Sequence, residues 1–165
     1  MGRTKYDSFL GLEALHLRVW LPMNIRAFIA AVEYNYKVPD FVNASNNPRL
    51  KGDDPLLRAV RRLKDRGVDI MLLMAGRNSY AQQWIAVALG IRKHVRFLGM
   101  TYRMTDLYAA SDVTVLPTYY DPASKVIIES LMMGVPAITT VFNGASDLVV
   151  GPGHASRGRV INDPS

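Results

Sequence analysis

From about Phe41 onward the chain alternates short apolar runs with longer stretches whose apolar residues recur at helical spacing, the pattern of parallel strands joined by crossover helices. Ile70 to Met74 is apolar at every position, as a strand buried on both faces must be. Val95 to Gly99 and Val113 to Leu116 read as further short strands, the second closed by Pro117. Pro136 to Thr140 is a β-rich run, and Arg159 to Ile161 fits an edge strand. Asp53-Asp54-Pro55 sets acids and a first-turn proline ahead of Leu56, Leu57, Val60 and Leu63, one apolar stripe that ends near Gly67. The spacing predicts further helices over Ser79 to Leu89, Met104 to Ala110, Lys125 to Met133 with Gly134 as its C-cap, and Ala145 to Val150. The fold class is α/β: a Rossmann-like parallel sheet of five or six strands with helices on both faces, built from residues 41–165. Residues 1–40 differ. Leu10 to Tyr36 mixes apolar and aromatic positions, is broken by Pro22, and has helical spacing at Ile25, Phe28, Ile29 and Val32, so a helical or poorly ordered extension is expected there.

A chain of 165 residues buries roughly 68–70% of its unfolded surface, and 49% hydrophobic with 21% charged residues is a globular composition. The absence of cysteine excludes disulfide scaffolds, thiolate zinc sites and a cysteine nucleophile, and fits a reducing compartment. His16, His94 and His154 are too scattered for an imidazole metal site. A formal charge of +6 favours anionic partners: a phosphorylated ligand, nucleic acid or acidic lipid. No apolar run approaches the length that spans a bilayer, and the first residues lack the basic, apolar, small-residue succession of a signal peptide. A cytoplasmic location, with contact at the inner face of the membrane as an option, is the expectation.

In a doubly wound sheet, ligands bind beyond the carboxyl ends of the strands, so chemistry is sought in the loops that follow them. Asn46 to Gly52 offers Arg49 and Lys51 before a helix start, a setting suited to phosphate. It also reads as a solvated basic turn. Gly76 to Ser79 and Gly99 to Arg103 carry glycines that permit close backbone approach, or that simply make turns. Neither GxGxxG nor GxxxxGK[ST] occurs. Pro117 to Lys125 leads into a helix, with carboxylates at Asp121 and Glu129, eight residues apart. Glu129 sits among Ile127, Ile128, Leu131 and Met132. An acid in so apolar a helix is costly unless it accepts hydrogen bonds, for which ribose hydroxyls are good donors. The alternative is that it faces solvent or pairs with Lys125 one turn back.

The succession Arg49-Leu50-Lys51-Gly52, Met74-Ala75-Gly76, Val95-Arg96-Phe97-Leu98-Gly99, Leu107 to Pro117, Asp121 to Glu129 and Gly134-Val135-Pro136 resembles the C-terminal, donor-binding half of GT-B retaining glycosyltransferases of family 4. The resemblance runs from about Phe41 to Pro164, and Tyr119 to Gly144 is most similar to the enzymes of lipopolysaccharide core assembly. It implies a nucleotide-sugar site in which Lys51 and Arg49 are the catalytic cations that neutralise the donor's diphosphate. Glu129 would hold the ribose hydroxyls and Asp121 would face the donor sugar. Ala123, Ser124 and Lys125 would meet sugar and phosphate through backbone amides, and Gly99 and Met100 would form the base-recognition edge. The resemblance implies no metal and no cofactor beyond the nucleotide sugar as co-substrate. The implied partners are that donor, a glycan or glycolipid acceptor and a separate N-terminal Rossmann domain, with no nucleic acid.

Three departures stand out. Asp121 is shorter by one methylene than the usual glutamate, Ser124 replaces a frequent glycine, and Asn43-Ala44-Ser45 stands where a Gly-Arg pair is common. Residues 1–40 cannot build an acceptor-binding Rossmann domain, so the chain is expected to be about half of an enzyme and inactive alone. A second reading is a non-catalytic module whose basic helix from Asp53 to Arg66 meets nucleic acid or an acidic membrane surface. Against it, no aromatics interleave with the cations and no nucleic-acid motif appears.

Overall fold

The computed structural model describes residues 40–77, 80–151 and 157–164. The extension expected over residues 1–40 lies outside these apart from Asp40, as do Asn78 and Ser79 of the Gly76 loop and His154.

Six strands form one sheet: β1 (Asp40–Ser45), β2 (Met71–Gly76), β3 (Val95–Gly99), β4 (Val113–Leu116), β5 (Ala137–Thr140) and β6 (Gly158–Ile161). Every pairing is parallel and the order is β3-β2-β1-β4-β5-β6. The helices are α1 (Pro48–Lys51), α2 (Asp53–Asp65), α3 (Tyr80–Ala88), α4 (Met104–Ala110), α5 (Lys125–Met132) and α6 (Ser146–Val150).

Crossovers between parallel strands are right-handed, so reversing the direction of travel across the sheet also reverses the face that the helix covers. The chain steps outward from β1 through β2 to β3, then jumps back past β1 to β4. Accordingly α2 and α3 cover one face: Leu56, Leu57, Val60 and Leu63 of α2 and Ala86 of α3 pack on Phe41, Leu72 and Met74. The other face is covered by α4, α5 and α6. There Tyr108 packs with Val42 and Val135, while Ile127 and Val149 pack with Leu116 and Ala137. Truncating one of the fully buried leucines of α2 to alanine costs about 2–5 kcal/mol.

This order has its switch point between β1 and β4, where the connections leave in opposite directions and open a crevice beyond the strand ends. The loop after β1 contains a helical turn that the sequence reading left irregular. Asn47 caps α1 by accepting from the Leu50 amide at 3.4 Å, and Pro48 fixes its first turn. Gly52, at φ 72°, ends α1 in the left-handed region and starts α2.

Candidate functional site

The loops after β1 and β4 are joined to each other. The Leu50 carbonyl accepts from both the Thr118 hydroxyl and the Tyr119 amide, each at 2.8 Å. A Cβ on Gly52 would stand 1.9 Å from the Pro117 carbonyl oxygen, so the backbones touch where only glycine fits.

That junction places Lys51 against Asp121: Nζ donates to Oδ2 at 2.5 Å, with the side chains 23% and 11% exposed. Asp121 is itself fixed from the β5 side, its amide donating to the Phe142 carbonyl at 3.1 Å and its carbonyl accepting from Gly144 at 2.8 Å. The buried Asn143 between them donates to Thr139 at 2.8 Å and accepts from the Ala145 amide at 2.9 Å. Three connections at the carboxyl edge of the sheet thus hold one ion pair. Arg49 is not drawn into it. It is exposed and has no hydrogen-bond or ion-pair partner among the described residues.

Ser124 is buried and caps α5, its Oγ accepting from the Ile127 amide at 3.5 Å, while Ala123 and Lys125 are exposed. The structure corrects the reading of Glu129 as an acid buried among apolar neighbours and agrees with the alternative that it faces solvent: the residue is exposed. Ile127 and Ser130 face the core, and helical periodicity turns Glu129 with Lys125 to the rim. The two do not form an ion pair. Instead the Tyr108 hydroxyl, on a fully buried side chain of α4, donates to Glu129 Oε2 at 3.0 Å. Burial, with the adjacent Glu129 charge and this hydrogen bond adding to it, pushes the phenol above its ordinary value, so it remains a donor.

Glu129 and Lys125 form one wall of a cleft of about 190 Å³ whose other walls come from Ser45 and Asn46 at the end of β1, Gly76 at the end of β2, and Met100 and Thr101 after β3. Asn46 braces the β2 side by accepting from the Arg77 amide at 3.3 Å. Gly76 lies where a Cβ would meet the Ser45 carbonyl oxygen at 2.0 Å, whereas Gly99 has open space around it and serves a turn at φ 68°. At Gly99 the turn reading accounts for the glycine, and the open space beside it leaves room for a ligand. Lys51 and Glu129 lie beyond the same carboxyl edge, the first in the loop after β1 and the second in the helix after β4.

Sequence reasoning missed two features. Tyr108 belongs to the Leu107 to Pro117 run, but its use as a donor to Glu129 was not seen, although a buried tyrosine hydroxyl ordinarily requires a partner. The second is a polar cluster under the start of α2. Asn43 Oδ1, Ser45 Oγ and both carboxylate oxygens of Asp53 are buried without hydrogen-bond partners among the described residues. Burial pushes the Asp53 carboxyl up to about 7; the charge of Asp54 adds to the rise, and the nearby Ser45 hydroxyl opposes it without forming a full hydrogen bond.

Among the described residues no three His, Cys, Asp or Glu side chains gather as a metal site, and no helix is long and apolar enough to cross a membrane. The reading of the chain as a non-catalytic basic module finds no support. Arg61 pairs with Asp65 at 2.6 Å and donates to the Leu89 carbonyl, and Lys64 donates to the Gly90 carbonyl, so two cations of α2 tie α3 to the fold.

A family model of glycosyl transferases group 1 matches residues 39–164. The lipopolysaccharide core biosynthesis glycosyltransferase LpsE of Rhizobium meliloti is 35% identical over 94 residues, covering 57% of this chain and 27% of LpsE. The lipopolysaccharide glucosyltransferase WaaG of Escherichia coli is 31% identical over 80 residues, 48% of this chain and 21% of WaaG. The solved structure of Anabaena Alr3699/HepE in complex with UDP-glucose superposes with a TM-score of 0.65 at 20% identity, over 84% of this chain and 38% of its own. The matched region thus spans about a quarter of the length of these curated relatives.

Proposed function

The chain belongs to the group 1 glycosyl transferases, and we propose that it is the donor-binding half of a retaining, metal-independent enzyme. That enzyme moves a sugar from a nucleoside diphosphate to a glycan or glycolipid acceptor in lipopolysaccharide or other cell-envelope polysaccharide synthesis. The observation that carries the reading is that the Lys51–Asp121 pair, which does not itself line the cleft, and the Glu129 cleft lie at the same carboxyl edge of the sheet, in the connections that follow β1 and β4. The solved relative that holds UDP-glucose and the two lipopolysaccharide glycosyltransferases among the relatives point the same way.

In this reading the bond between the sugar's anomeric carbon and the diphosphate oxygen breaks, and negative charge grows on the departing diphosphate. Lys51 stands fixed before the reaction, so it stabilises that charge without reorganising. Arg49, free in the exposed turn, closes on the phosphates from outside. The first-turn amides of α5, behind Ala123, Ser124 and Lys125, add the positive end of a helix. The exposed carboxylate of Glu129 accepts the ribose hydroxyls, Met100 and the Gly99 turn flank the base, and Asp121 reaches the sugar through the carboxylate oxygen that Lys51 leaves open. The acceptor and the remaining groups of the reaction belong to a second Rossmann domain. This chain alone therefore binds donor without transferring it.

Calorimetric titration with uridine, guanosine and adenosine diphosphate sugars tests the reading. Saturable binding of one of them, weakened by Lys51→Ala and by Glu129→Ala, is expected. A folded protein that binds none of them would contradict it.

A further inference from the structure

The outer face of α3 is built against the usual pattern. Helices of soluble domains turn charged residues outward, yet α3, with the sequence YAQQWIAVA, contains none. Gln82 and Ala86 are buried, and the opposite side presents Tyr80, Trp84 and Val87, which are 82%, 71% and 50% exposed. Their spacing of four and three residues aligns them in one row. The described contacts of the domain leave that row uncovered.

Cations stand at both ends of the row. Arg77 is exposed three residues before Tyr80, and Arg92 and Lys93 are exposed in the turn that follows the helix. Arg61 and Lys64 of α2 also lie at this end, but they are engaged with Asp65 and with the carbonyls of Leu89 and Gly90 and leave the charge there to Arg92 and Lys93. From Ile70 to Thr105 the chain carries Arg77, Arg92, Lys93, Arg96 and Arg103 and not one Asp or Glu. Asp69 and Asp106 flank this segment and Asp106 pairs with Arg103 at 2.6 Å, so the cations that stand beside the aromatic row itself are Arg77, Arg92 and Lys93.

We infer that this face docks on an anionic lipid bilayer, with Tyr80, Trp84 and Val87 entering the interface and Arg77, Arg92 and Lys93 meeting headgroup phosphates. Tyrosine and tryptophan favour the headgroup level because each joins an apolar ring to a polar tip, and cations beside an apolar helix face add attraction to acidic lipid. A nucleic acid would call for cations interleaved with the rings to follow its phosphates; here they lie only at the ends of the row. Tyr80, Trp84, Val87, Arg92 and Lys93 do not line the Glu129 cleft, although Arg77 borders it through Gly76 and Asn46, so substitutions at the first five test the inference independently of the proposed function.

The full chain is tested by co-sedimentation with vesicles of phosphatidylcholine, with and without phosphatidylglycerol. Binding only to the acidic vesicles is expected, lost in Tyr80→Ser/Trp84→Ser and weakened about fivefold for each of Arg92→Gln and Lys93→Gln. The affinity for nucleoside diphosphates remains that of the parent. As a readout that leaves the row intact, Trp84 is the sole indole in a Trp20→Phe background, and its emission should shift to the blue on addition of acidic vesicles. No binding to either vesicle, or binding that the double substitution leaves unchanged, would overturn the inference. So would self-association that the double substitution abolishes, or retention on duplex DNA in place of lipid.

Discussion

The Tyr108 hydroxyl reaches across from α4 to α5 and donates to Glu129 Oε2 at 3.0 Å, so a fully buried ring orients an exposed carboxylate at the mouth of a cleft. One carboxylate oxygen is thereby engaged and the other left for a ligand. Removing the hydroxyl by Tyr108→Phe should keep the fold and free Glu129 to rotate. Loss of a hydrogen bond to a charged group is worth about 1.5 kcal/mol, so nucleotide affinity should fall roughly tenfold. In a double-mutant cycle with Glu129→Gln, measured by calorimetry, the two losses should be non-additive. Full additivity would show that Tyr108 does not act through Glu129.

Lys51 and Asp121 predict effects of opposite sign. Lys51→Ala should weaken UDP binding about 10- to 100-fold, the range for a charge-assisted contact, and leave the affinity for uridine unchanged. Asp121→Asn removes a negative charge beside the diphosphate, so UDP should bind more tightly while the gain in affinity contributed by the attached sugar is lost. Calorimetry with uridine, UDP and a UDP-sugar separates the two.

Gly52 is where the backbone of the loop after β1 comes closest to Pro117 in the loop after β4. Alanine there must adopt φ 72° and push a Cβ to within 1.9 Å of the Pro117 carbonyl oxygen, which forces the backbone to move. A loss on the order of 3 kcal/mol is expected, a fall in melting temperature of roughly 10 °C. Thermal unfolding measured by circular dichroism would reveal it.

Asp53 makes stability depend on pH. Its carboxyl ionises at about 7 in the folded chain against 3.8 when unfolded. The unfolded state therefore releases its proton first. Between about pH 4 and 7 the unfolded chain binds fewer protons than the native one, so stability falls as pH rises, by on the order of 4 kcal/mol in all. Asp53→Asn should leave stability near pH 4 almost unchanged and raise it clearly at pH 8. Urea titrations at the two values test this, and equal effects at both would contradict the assignment.

The strands were legible because their apolar runs carry their own evidence, as in Ile70 to Met74, and α2 because Pro55 and the Leu56 to Leu63 stripe mark its start and buried side. The turn of α1 was legible too, in the Asn47-Pro48 cap signal, but the cations beside it drew the reading toward phosphate. The apolar neighbours of Glu129 suggested burial by composition, although the four-residue step from Lys125 already placed both on one face, turned away from Ile127. Two relationships could not be read locally. Tyr108 meets Glu129 across 21 residues of chain. Asp53 is buried because β1 brings Ser45 and Asn43 beneath a helix start that would otherwise be solvated.

The central claim is that the β1/β4 switch point grips a nucleoside diphosphate through Lys51 on one side and Glu129 on the other. The most direct measurement is a crystal structure of the full chain with UDP. The predicted result is a diphosphate against Lys51 Nζ and ribose hydroxyls within hydrogen-bonding distance of Glu129. UDP bound elsewhere on the domain, with both side chains untouched, would contradict it.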